Sequence, residues 1–230
     1  MPGGFRKAKR AMELAAKFNL PLVTLVDTAG AHPGIESEQA GLGHAIAECM
    51  ATMLEIPVPT VAVIIGEGNS EGAMAMAVAD RVLMLDNAVY EVIRPEEAAR
   101  ILFGEPSKAG EAAERLRITS HDCLRLGIAD ATVPEPGEGA HTDHQETAQL
   151  VRRAVIRELT RLQRQRPKKL VERRYDRYRE TGSTRSWVRG TLERRLAHLF
   201  DRLGAAKDRL RGRTSPFRRK DELDETDIPV

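Results

Sequence analysis

The chain has 230 residues, 41% of them hydrophobic and only 4% aromatic, enough for one full core domain with an appendage. With so few rings, the core must be built from Ala, Val, Leu, Ile and Met, and this argues against a nucleic-acid binder that stacks bases on aromatic side chains. The net charge of +2 hides an asymmetry: residues 1–150 carry 12 Lys+Arg against 22 Asp+Glu and residues 151–230 carry 24 against 12, which predicts two units of opposite sign.

Apolar spacing at Phe5, Ala8, Met12, Ala15 and Ala16 predicts an amphipathic helix over residues 5–18, with Asn19 at its C-terminal cap. Residues 20–26 read as a buried strand, and Asp27-Thr28-Ala29-Gly30-Ala31-His32-Pro33-Gly34 as a loop. Helical spacing returns over residues 37–54. Pro57 and Pro59 end that helix, and residues 60–65 form a second buried strand. Gly66-Glu67-Gly68-Asn69-Ser70-Glu71-Gly72 then reads as a glycine turn leading into a small-residue helix, Ala73 to Ala79. Strands are expected at residues 81–85, 88–93 and 128–133, and helices at 95–103, 109–116 and 119–126. This alternation predicts an α/β fold with a parallel sheet. Residues 145–212 are basic helix formers interrupted at Pro167 and near Gly182. The expected organisation is a core over residues 1–140, a basic helical extension over 141–212 and a disordered tail over 213–230.

Cys49 and Cys123 read as small apolar residues of a reduced, cytoplasmic protein, and with no Cys-x-x-Cys pair a thiolate metal site is not expected. His141 and His144 have metal-compatible spacing but no evident third ligand. The polar, basic start predicts no signal peptide, and no run of apolar residues is long enough to span a membrane.

In parallel α/β folds, ligands bind at the carboxyl ends of the strands. Two loops lie there, residues 27–34 and 66–72. Free N–H groups where a helix starts could hold a developing oxyanion, and glycines let a ligand approach the backbone. Three readings of the glycine turn stand: an oxyanion hole, a phosphate site and a plain strand-to-helix turn. Glu67 and Glu71 weigh against phosphate. Asp27 is read first as a loop-capping residue, ahead of a catalytic base paired with His32, and His44 as structural or solvated. Ser70 lies beside glycines, but it is not read as a nucleophile elbow, and no Ser/His/Asp arrangement is argued. The basic helices are read as a solvated or partner-docking surface ahead of an RNA site.

Motifs in register then make the sequence familiar. They are Gly4-Phe5-Arg6-Lys7-Ala8, Asp27 to Gly34, Ile65 to Ala73, Tyr90-Glu91-Val92-Ile93-Arg94-Pro95-Glu96, Pro134-Glu135-Pro136 and Arg173-Arg174-Tyr175. Together they resemble the carboxyltransferase alpha subunit of bacterial acetyl-CoA carboxylase over about residues 3–180. The resemblance implies a crotonase-like fold, a spiral of ββα units. It implies carboxyl transfer from carboxybiotin, held on a biotin carboxyl carrier protein, to acetyl-CoA or another short acyl-CoA. A beta-type subunit is the implied partner, and no metal is implied in this chain. Glu71 and Gly72 are implied as backbone N–H oxyanion donors facing the biotin ureido oxygen. Gly30, Ala31, His32, Gly34, Gly68, Asn69 and Ser70 are implied to line the substrate site. Asn69 and Glu71 replace two glycines of the family pattern, and His32 replaces a usual Tyr. These departures motivate an alternative, a non-catalytic assembly or regulatory subunit.

Overall fold

The computed structural model describes residues 1–182. Helix α1 (Pro2–Lys17) buries Met12 and Ala15, with Phe5 and Ala8 partly covered on the same face. It ends where Asn19 turns left-handed at φ 52°, a conformation Asn tolerates better than most residues. Strand β1 (Leu22–Thr28) follows. The single helix expected over residues 37–54 is two, α2 (Ile35–Gln39) and α3 (Leu42–Glu55). The break is at Gly41, at φ 80°, and Arg6 Nη2 donates to the Ala40 carbonyl at 2.7 Å. No apolar pair at helical spacing spans this point, and Gly41 and Gly43 flank the start of α3, so the interruption was present in the pattern.

Strand β2 (Thr60–Asn69) is followed directly by α4 (Ser70–Ala77). Then come β3 (Arg81–Leu85), β4 (Val89–Glu91), α5 (Pro95–Phe103), α6 (Ala109–Leu116), α7 (Ser120–Leu126) and β5 (Ala131–Val133). All sheet pairings are parallel, in the order β1-β2-β3-β5. Strand β2 changes partner along its length: Val61–Ile64 pair with β3, and Glu67–Asn69 pair with β4. Most of the segment expected as a glycine turn is therefore strand, because a second strand is available to complete its ladder.

The core is aliphatic, as the composition requires. Val61 to Ile64 and Val82 to Leu85 are buried between α3 (Ile46, Cys49, Met53) and further helices. Helix α4 lies against β1, β2 and α3 and buries Ala73, Ala75 and Ala77, whose small side chains permit close approach.

Helices α8 (His144–Leu162) and α9 (Pro167–Glu180), expected within an extension after residue 140, pack on this same core through Ala154, Leu162 and Leu170. Arg174 of α9 is 1% exposed. Its guanidinium forks onto Asp80 at 2.9 and 2.8 Å and donates to the carbonyls of Met53, Ile56 and Val58. It thereby caps the C-terminus of α3, where carbonyls lack helical partners. Tyr178, one turn on, donates to the Ala77 and Ala79 carbonyls. The expected helices beyond residue 182 and the expected disordered tail lie outside the described residues. No helix among the described residues is long and apolar enough to cross a membrane.

Candidate active site

The carboxyl ends of β1 and β2 meet at the two loops picked out by the sequence. Pairing runs from Val26–Ile64 to Thr28–Gly68, so β2 carries two more residues than β1 across this interval. Asp27 fills the gap: its Oδ1 accepts from the Glu67 N–H at 3.0 Å. A Cβ on Gly66 would lie 2.5 Å from that oxygen, so any larger residue there would have to displace the carboxylate. Asp27 is thus a structural cap, as read first from the sequence.

Gly30, at φ 105°, turns the β1 loop back, and its N–H donates to Thr28 Oγ1 at 3.1 Å. The turned loop lies against the start of α4. A Cβ on Gly72 would sit 2.9 Å from the Ala31 nitrogen and 3.0 Å from the Gly30 carbonyl carbon. Gly30 in turn approaches the Asn69 carbonyl and the Ser70 Cβ, each 3.5 Å from where its own Cβ would stand. The structure therefore brings Gly30 and Ala31 together with Asn69, Ser70 and Gly72, and holds Glu71 at the same turn. Gly68 is buried in the sheet between Tyr90 and Ile64. His32 is exposed, its ring lying against Gly34 within its own loop.

The backbone at Ser70 shows something the sequence reading missed. Ser70 has φ 59°, a left-handed non-glycine residue between a strand and a helix. Gly68-Asn69-Ser70-Glu71-Gly72 does have Gly-x-Ser-x-Gly spacing, and that spacing was the available signal. Here the Ser70 hydroxyl is engaged by the Glu71 carboxylate. The two departures from the family pattern bring no comparable backbone strain: Asn69 has φ −105°, and Glu71 lies within α4.

Asn69 occupies the N-cap of α4 but does not cap it. Its amide donates instead to Glu91 Oε1 at 3.1 Å, on the paired strand β4. No side chain caps the first N–H groups of α4, and they stay available at the positive end of the helix. Burial raises the Glu91 carboxyl above its ordinary range; Glu67 and Glu96 add to the rise, and Arg94 opposes it. A raised folded-state value means the favourable contribution is complete below the unfolded pKa and is lost as pH rises through the folded one. Glu91→Gln keeps an acceptor for Asn69 and removes the buried charge. It is expected to be more stable than wild type at neutral pH, with the difference closing under acid. Urea midpoints across the carboxylate range check this, and a variant less stable at neutral pH would contradict it.

With this geometry in place, comparison with known proteins is decisive. Residues 1–182 match the family model described as acetyl co-enzyme A carboxylase carboxyltransferase-like. The chain belongs to this family. It is 52% identical over 188 residues to the acetyl-coenzyme A carboxylase carboxyl transferase subunits beta/alpha of Salinispora arenicola (strain CNS-205), covering 82% of this chain and 33% of that one. It is 47% identical over 182 residues to the subunit alpha of Sorangium cellulosum (strain So ce56), covering 79% of this chain and 57% of that one. The chain thus spans a third of the first relative and somewhat over half of the second. Among solved structures it resembles transcarboxylase 12S with methylmalonyl-coenzyme A and methylmalonic acid bound. That match has a TM-score of 0.60 and 24% identity, and covers 70% of this chain and 31% of that one. This last likeness bears on the fold alone, which is crotonase-like.

Proposed function

We propose that this chain works as the alpha-type half of an acetyl-CoA carboxylase carboxyltransferase in the cytoplasm, alongside a beta-type subunit. One observation carries the reading: at the carboxyl end of β2, an uncapped helix start meets a glycine backbone closely packed by the neighbouring loop. A ureido oxygen suits such a place, because the first N–H groups of the helix have no side-chain cap and Gly72 keeps the neighbouring loop close against them. Carboxybiotin, brought by its carrier protein, supplies the carboxyl group destined for acetyl-CoA. The backbone N–H groups of Glu71 and Gly72 hold the ureido oxygen and stabilise negative charge as it develops there. The turn of Gly30 and Ala31 fixes the position of those donors. Gly34, His32, Asn69 and Ser70 line the approach.

The Glu71 carboxylate is the feature that works against this chemistry, since a fixed negative charge opposes a developing oxyanion. Replacing both departures, Glu71→Gly with Asn69→Gly, is expected to raise the transfer rate with a beta-type partner by up to about tenfold. Malonyl-CoA formation from carboxybiotin and acetyl-CoA measures this. An unchanged or lower rate would show that the Glu71 carboxylate does not oppose the developing charge.

A further inference from the structure

The end of the sheet opposite the candidate site is formed by the strand starts. Thr60 and Arg81 begin β2 and β3, and Gly68 lies eight residues along β2 from Thr60, about 26 Å away. Beside them, between the α8–α9 turn and the sheet, is a cavity of about 160 Å³. Its polar lining is Asp80, Arg81, Gln165, Arg173, Arg174 and Arg177.

The charges there do not balance. Both Asp80 oxygens are used, by Arg174 and by the N–H and hydroxyl of Thr60. Asp130 holds Arg81 at 2.9 Å and Arg177 at 2.6 Å. Glu158, 2% exposed, is shared by Arg81, Arg157 and Arg161. Five guanidiniums therefore share three carboxylates, and Arg173 adds a sixth guanidinium that pairs with none of them. Several donors stay free among the described residues: Nη2 of Arg81, Nε of Arg177, and Nε and Nη2 of Arg173, whose Nη1 donates to Gln165 at 2.7 Å. Arginines with spare planar donors around a small, partly enclosed space match the geometry of a tetrahedral oxyanion. The volume suits one phosphoryl group and excludes a nucleotide base alongside it.

We infer that this cavity binds a phosphoryl oxyanion, either free inorganic phosphate or the terminal phosphate of a larger monoester whose remainder stays outside. The anion ties α9 to the strand starts, so occupancy stabilises the α8–α9 pair on the core.

The test uses the full chain. Thermal unfolding is followed in inorganic phosphate, in AMP and in chloride at matched ionic strength and pH. Phosphate should raise the midpoint along a saturating curve that chloride does not reproduce. Arg173 is exposed, so Arg173→Gln should fold normally while shifting half-saturation about tenfold or more toward higher phosphate. Arg173→Lys should keep part of the response, and Arg115→Gln, on an exposed helix face, should match wild type. Saturation by AMP as well as phosphate assigns a monoester, and saturation by phosphate alone assigns the free ion. A phosphate response that never saturates, or that Arg173→Gln leaves unaltered, would overturn the proposal.

Discussion

Gly72→Ala is expected to cost about 1–3 kcal/mol of stability and to lower carboxyl transfer by about a hundredfold. The added methyl would stand 2.9 Å from the Ala31 nitrogen, 3.0 Å from the Gly30 carbonyl carbon and 3.2 Å from the Gly30 Cα. All three are backbone atoms, so no side chain can rotate away. Relief requires the β1 loop to lift from the start of α4, and that lifts Gly30 and Ala31 from the backbone assigned as donors. The proper comparison is Gly43→Ala in α3, where the new Cβ meets nothing within 4 Å. That change should alter stability by less than about 1 kcal/mol and leave transfer untouched. Denaturant unfolding and transfer by the reconstituted complex measure both. Equal behaviour of the two variants would show that the close approach at Gly72 is not needed.

The second large effect is predicted far from that site. Arg174→Met should destabilise the protein by about 3–5 kcal/mol. The paired side chains are 0% and 4% exposed, so losing the guanidinium strands the Asp80 carboxylate in the interior. It also leaves the Met53, Ile56 and Val58 carbonyls without this donor. Adding Asp80→Asn to Arg174→Met should recover part of the loss, because the stranded charge is removed while the orphaned carbonyls persist. Urea unfolding of the single and double variants decides. A single variant within about 1 kcal/mol of wild type would mean that the α9 helix is held by its apolar contacts alone.

These two sites also show what was legible in the sequence. Strands β2 and β3 and helices α5 to α7 follow from apolar runs and turn residues, because each is decided locally. The break at Gly41 falls where no apolar pair at helical spacing spans the chain, but its left-handed geometry is a backbone property that periodicity does not carry, and the run of β2 through Gly68 depends on β4 being in place, a contact made 22 residues later. Helix α9 was read as a solvated or docking surface because Arg counts as polar. Yet Leu170, Arg174 and Tyr178 recur every four residues, and that stripe is the face the helix turns inward. A buried arginine can be recognised only once its carboxylate and carbonyl partners are placed around it. At the candidate site, the sequence pointed to two loops that the fold packs against each other, and to glycine. It could not reveal that Asn69 reaches across to Glu91 instead of capping α4, or that Ser70 takes the left-handed turn.

The most direct test of the central claim is carboxyl transfer by the full chain with a beta-type subunit, using carboxybiotin and acetyl-CoA. The account predicts malonyl-CoA formation well above that of the beta-type subunit alone, lowered about a hundredfold by Gly72→Ala. A rate no higher than that of the beta-type subunit alone would contradict it.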